Sequence, residues 1–343
     1  MNIRYNLVGL ALLATIASYA QRPFSCTTGE MVEKSYQDHP EFLTAHEQLE
    51  QFTADYVKNN AAERTASNSA PTYLIPIVFH IIHNYGPENI SDAQVYDEVK
   101  ILCRDYRMRN ADTASVIPSF QGIRADTKIE FRLAQKDPNG NCTNGIDRVA
   151  SLLTYKAGDN SKLNDWPSNK YLNVWVVSDI ANGAAGYAYF PGTINSAADG
   201  VLILSNYIGS IGTSNPTQSR ALTHEIGHTL NLYHPWGNSN SPGVSCSGSD
   251  QVADTPDTKG WDFCPAPTAA AICNPPVIEN FSNYMDYSYC SNMFTAGQVA
   301  RMTAAITPLS GLLTCQSILG TVSPSNPSDH APICWAVGPK TEI

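Results

Sequence analysis

Three histidines, at 224, 228 and 234, constrain this 343-residue chain more than any other feature. His224 and His228 are four residues apart, so on an α-helix they project from one face about one turn from each other. His234 comes six residues later, and its ring reaches the same point only if the helix stops and the chain turns back. The run therefore predicts a helix, a sharp end and a return, all organised around one point. Three neutral imidazoles leave one position of a tetrahedral zinc ion open, which is the catalytic rather than the structural pattern. Glu225, beside the first histidine, is placed to hydrogen-bond a water there and take its proton.

The flanking residues give that helix a reason to exist. Asn215 reads as its cap, Pro216 as its first residue, and Gln218 follows three after the cap. Leu222, Ile226 and Leu230 recur every four residues and predict a core-facing side. Where the long histidine pattern usually has glycine to leave the helix in a left-handed conformation, this chain has Asn231. Asparagine tolerates that conformation better than other side chains, so the turn is expected to survive.

About fifty residues past His234 lies Asn283-Tyr284-Met285-Asp286-Tyr287. A long HExxHxxGxxH-type run followed by a methionine-containing turn is the metzincin arrangement. Together with Asp250-Gln251-Val252-Ala253-Asp254-Thr255-Pro256 and the stretch 293–302, it resembles the pappalysin family over about residues 71–310. The resemblance implies an α/β (α+β zincin-like) fold, with an upper strand-and-helix subdomain and an irregular, disulfide-linked lower one. It implies a secreted zinc endopeptidase in which His224, His228 and His234 hold zinc and Glu225 is the general base. Met285 would form an apolar floor beneath the imidazoles without being a ligand, and Tyr287 would sit near the metal and stabilise the oxyanion. It also implies disulfides Cys246–Cys273 and Cys264–Cys290, and calcium near Asp250, Asp254 and Asp257. Cys26, just after the leader, would bind the zinc of the precursor and block the water position, although no glycine follows it as in the family motif.

The apolar run 7–17 after Arg4, ending in Ser18-Tyr19-Ala20, reads as a secretory signal peptide. Residues 21–70 read as a prosegment ending in a small, polar processing linker, 71–314 as one catalytic domain and 315–343 as a tail. Nine cysteines suit an oxidising compartment, with eight pairing and one left over. Four of them lie between 246 and 290, and spacing alone allows three connectivities. With the family pairs set aside, Cys103 with Cys142 and Cys315 with Cys334 are what is left. Strands are expected at 75–82, 128–134, 171–177, 186–190 and 200–204, and helices at 91–107 and 294–306.

Twenty-one basic against thirty-one acidic residues give a net charge of −10. Such a chain is not expected to bind nucleic acid or an anionic membrane through a basic surface. The expected partners are protein or peptide substrates, extended along an edge strand at 184–190. A strict preference for a basic residue after the cut is not expected, because only Ser288 and Tyr289 stand between the Met turn and Cys290. The competing reading is a catalytically silent metzincin-fold binding protein, against which the intact Glu225 argues.

Overall fold

The computed structural model describes residues 24–60 and 73–307, apart from 238, 240 and 244. The leader, the linker at 61–72, and the tail with Cys315 and Cys334 lie outside the described residues. Strand β1 (Tyr73–His83) is a nearly unbroken apolar run, and its last seven residues are buried. Continuous apolar strands are what a parallel sheet covered on both faces requires. Along one edge β1 pairs in parallel first with β2 (Ile129–Leu133) and then with β3 (Ile146–Ala150). On its other side it pairs with β4 (Leu172–Val177), which pairs in parallel with β6 (Val201–Leu204). The short β5 (Gly186–Tyr187) closes the order antiparallel to β6, forming the edge that faces the cleft.

Helix α3 (Asp92–Tyr106) begins at Ser91, whose hydroxyl accepts from the Gln94 amide. Its Val95, Val99, Leu102 and Tyr106 enter the main core with Leu222 and Ile226 of α4 (Ala221–Thr229). Each such fully buried aliphatic side chain contributes roughly 1.5–3 kcal/mol. Helix α5 (Ala296–Ile306) starts with a reciprocal Thr295–Gln298 capping box. Two earlier helices, α1 (Thr28–Asp38) and α2 (Pro40–Asn59), pack on one another, and α2 packs on α5.

The metal-site helix starts later than its sequence suggests. Asn215 accepts from Thr217 N and Thr217 Oγ1 in a local turn, and 215–220 is a succession of turns. Arg220, held by Asp112 and Asp105, occupies the cap position, so the side-chain turn competes with the helix and wins. β3 was not expected, because its burial is intermediate and its sequence polar. The predicted strand at 186–190 ends at Tyr187, where the Tyr187 and Tyr189 hydroxyls both turn to Asp159.

Beyond His234 the backbone is largely irregular around a small core of Trp261, Phe281 and Met293 with Phe120. Disulfides Cys246–Cys273 and Cys264–Cys290 tie it together. Loops of this length correspond to about 3.5 kcal/mol each in the chain-entropy account. The expected Cys103–Cys142 bridge does not form. Cys103 lies on α3 against β2, where its thiol is free and donates to Phe131 O, while Cys142 is disulfide-bonded elsewhere.

Candidate active site

Helix α4 presents His224 and His228 from one face, and Asn231 then takes φ 66° to end the helix. This is the left-handed turn that brings His234 back. All three rings are buried. Their Nδ1 atoms are each matched to a backbone carbonyl: His224 to Tyr284 O at 2.8 Å, His228 to Leu232 O at 2.7 Å and His234 to Ser239 O at 3.1 Å. A carbonyl only accepts, so each Nδ1 carries the proton and each Nε2 points its lone pair inward. His228 Nε2 lies 3.1 Å from His224 Nε2 and 3.2 Å from His234 Nε2.

Three lone pairs facing one another without a hydrogen between them need a cation. The separations match the roughly 3.3 Å edge of a tetrahedron with metal–nitrogen bonds near 2.05 Å. Burial pushes His228 down to about 4, and burial together with the neighbouring imidazoles holds His224 and His234 well below the ordinary histidine value. Neutral imidazoles fixed by carbonyls are the form that binds a metal. Cys26 Sγ completes a group of four donor atoms, all within 4.8 Å of one another, with His224, His228 and His234.

Glu225 is fully buried, and burial raises its carboxyl to about 8. One oxygen accepts from Cys26 Sγ and Thr28 Oγ1, both at 3.4 Å, while the other has no partner. Met285 is buried to 0% exposure against Gly227 of α4. Tyr287 stands beside His224 and His234, and its hydroxyl donates to Cys26 O at 2.9 Å.

Residues 24–28 lie across this centre. Ser25 O accepts from Ala185 N and Thr27 N donates to Gly186 O, so the segment runs parallel to β5. Phe24 packs edge-on against His224 and Tyr287 at the mouth of a cavity of about 200 Å³, which Arg220, Asp286 and Tyr289 also line. The Asp286 carboxylate accepts from the Trp261 and Ser288 amides and belongs to the turn.

Two of the three candidate calcium carboxylates have separate duties. Both oxygens of Asp250 face Thr255 Oγ1, whereas Asp254 accepts from Thr295 Oγ1 and Gly297 N at the start of α5. Among the described residues none of Asp250, Asp254 and Asp257 joins a cluster of three or more His, Cys, Asp and Glu that could hold a metal.

Sequence reasoning missed Trp236, stacked on His234 with ring centroids 4.7 Å apart. Its Nε1 donates to Ser239 O, the carbonyl that also fixes His234. Only its place two residues after the third histidine could have signalled this. It also missed the partners of Asn231, which are Glu50 and Arg301 from elements far apart in sequence.

The fold and this constellation define a metalloendopeptidase of the metzincin type. The family profile Peptidase_M43, described as pregnancy-associated plasma protein-A, matches residues 156–307. The chain belongs to this family, the pappalysins. Mature mirolysin of Tannerella forsythia, solved in complex with a cleaved peptide, is 38% identical with a TM-score of 0.66, covering 73% of this chain and 97% of that one. A promirolysin mutant of the same organism is 34% identical with a TM-score of 0.68, covering 85% and 97%. An extracellular metalloprotease of Trichophyton verrucosum is 29% identical over 305 residues, 86% of this chain and 94% of its own length.

Proposed function

We propose that the protein is a secreted zinc endopeptidase made as a latent precursor, with His224, His228 and His234 as zinc ligands and Glu225 as general base. The observation that carries this is the convergence of three buried, carbonyl-fixed imidazoles on one point beside a buried carboxylate. Zinc held there would lower the pKa of a water and polarise the scissile carbonyl.

Glu225 then accepts the proton of the attacking water and passes it to the departing amine. Tyr287 donates to the developing oxyanion once its hydroxyl is released from Cys26 O. Peptide substrates lie extended along the edge at 184–187, which residues 25–27 hold in the precursor. With Asp286 committed to its turn, no carboxylate on 286–289 is free to demand a basic residue after the cut.

Residues 21–70 act as the prosegment and 71–314 as the catalytic domain, with Cys26 as the fourth zinc ligand of the latent state. The thiol is within 3.5 Å of His228 Nε2 and of the Glu225 carboxylate, where it excludes the attacking water. A leader at 1–20 and the extracellular relatives support export.

Calcium fits at Asp250, with Thr255 and Val252 O rather than Asp254 or Asp257 as its neighbours. Thr255 Oγ1 has one proton but three acceptors within 2.8 Å, the two Asp250 oxygens and Val252 O. Such a buried oxygen nest suits a hard cation.

Cleavage of a quenched peptide by the processed protein, with and without a zinc chelator and beside Glu225→Ala, tests the proposal. The expected result is activity that the chelator abolishes, that zinc restores and that the variant lacks. Activity that survives the chelator, or persists in Glu225→Ala, would overturn it.

A further inference from the structure

We infer that the catalytic body carries a carboxylate socket, built from Arg301, Asn231 and Tyr233, that holds Glu50 of α2 in the precursor and keeps α2 bound after the linker is cut. This rests on the reading of residues 21–70 as a prosegment.

The socket is a built site. Arg301 Nη2 and Nη1 donate to the two oxygens of Glu50 at 2.7 and 3.1 Å, and Asn231 Nδ2 adds a third bond at 2.8 Å. The Arg301 side chain is 4% exposed. Its Nε donates to Asn231 O at 3.0 Å, and its guanidinium lies 4.9 Å over the Tyr233 ring. Both of those contacts are internal to the catalytic body. They therefore persist when α2 departs, leaving the two terminal nitrogens aimed outward as a preorganised fork. A planar fork beside an amide donor is the complement of a carboxylate, not of a neutral or cationic group.

The occupant is helix α2 itself. His46, Glu50 and Thr53 lie on one face of α2, and each meets the socket: His46 Nε2 pairs with the Tyr233 hydroxyl at 2.9 Å and Thr53 Oγ1 lies 3.5 Å from Asn231 Nδ2. The fully buried residues of α2 are His46, Leu49 and Thr53, with Phe42, Phe52, Tyr56 and Val57 half-buried beside them, so two of the three wholly covered side chains are polar. Truncating one partner of a hydrogen-bonded charge pair whose arginine is buried weakens docking, because the other charge is left without its partner. Glu50 is therefore the charged anchor of α2, independent of Cys26. It also bears on the metal site, because Asn231 is the left-handed residue between His228 and His234.

The test uses the full chain carrying a specific protease site within 61–72 and Glu225→Ala to prevent self-digestion. After cutting, release of the N-terminal piece that carries α2 is timed by size exclusion for Cys26→Ser with and without Glu50→Gln. The expected result is retention with Glu50 present and release at least about tenfold faster with Glu50→Gln. Glu50 lies outside the catalytic body, whose melting temperature after release should match between the two. Equal release rates would overturn the socket. The same cut made in the chain with Glu225 intact separates the underlying reading. Full peptidase activity with the N-terminal piece still bound would overturn the prosegment assignment, while the release rates still decide whether Glu50 is held.

Discussion

Met285 Sδ sits against the backbone of Gly227, closer than any side-chain carbon on that residue would allow. The glycine between Glu225 and His228 is therefore there for packing, since mid-helix glycine otherwise costs stability. The Met turn reaches the helix only where a Cβ is missing.

Gly227→Ala is accordingly expected to destabilise the protein in spite of alanine's better helix propensity. Overpacking of this kind costs about 1–3 kcal/mol. A lowered melting temperature is expected, together with weaker zinc retention under competition by a chromophoric chelator. A variant as stable as the native chain would show that Met285 moves aside freely.

The region 24–28 predicts the behaviour of Cys26→Ser. Removing the thiol takes away one donor of the four-atom group, yet Phe24, the pairing with Ala185 and Gly186, and the Tyr287 bond to Cys26 O all remain. The uncut variant should turn over a quenched peptide faster than the uncut native precursor but well below the processed enzyme. Unchanged latency would remove Cys26 from the mechanism and leave the edge pairing as the block.

Tyr287→Phe separates orientation from hydrogen bonding at the oxyanion. The ring would keep its contacts with His224, His234 and Trp236, and only the hydroxyl would be lost. Loss of one oxyanion donor lowers kcat by about 10²-fold with little change in KM. Steady-state kinetics of the processed variant give both terms. An unchanged kcat would assign Tyr287 to the wall of the cleft alone.

Much of this centre could be read from the sequence because it is local. His224, His228, Asn231 and His234 fall within eleven residues, and helical geometry alone converts their spacing into a point of convergence. The start of that helix was misplaced by an equally local effect, the Asn215 turn, in which a side chain outbid the backbone. What could not be read is what crosses long stretches of chain. Glu50 meets Arg301 only because α2 docks on α5, and no periodicity in either helix announces the partner. β3 stayed hidden for a different reason, since a half-exposed edge strand carries no apolar run. The bridge assigned to Cys103 failed because elimination is not geometry; the thiol lies in a packed helix–strand seam.

The oxygen nest at Asp250 gives a pH dependence with a definite sign. Burial pushes its carboxyl up to about 7 from an ordinary value of 3.8, against the lowering effect of Thr255 and the Val252 amide. Without a cation the native state thus holds a proton that the unfolded chain has already released between pH 4 and 7. Stability should fall as pH rises through that window, by on the order of a few kcal/mol. Calcium favours the ionised form, so the rise in melting temperature that it produces should be larger at pH 8 than at pH 5. Asp250→Asn removes the charge while leaving an oxygen for Thr255. The variant should lose both the calcium effect and this part of the pH dependence, and it should be no less stable than the native chain at pH 8 when calcium is held away by a calcium-selective chelator. Thermal melts of the full chain at the two pH values, with millimolar calcium or with the chelator, measure all three. An equal calcium shift in the native chain and Asp250→Asn would place the cation elsewhere and leave Asp250 as a plain buried carboxyl.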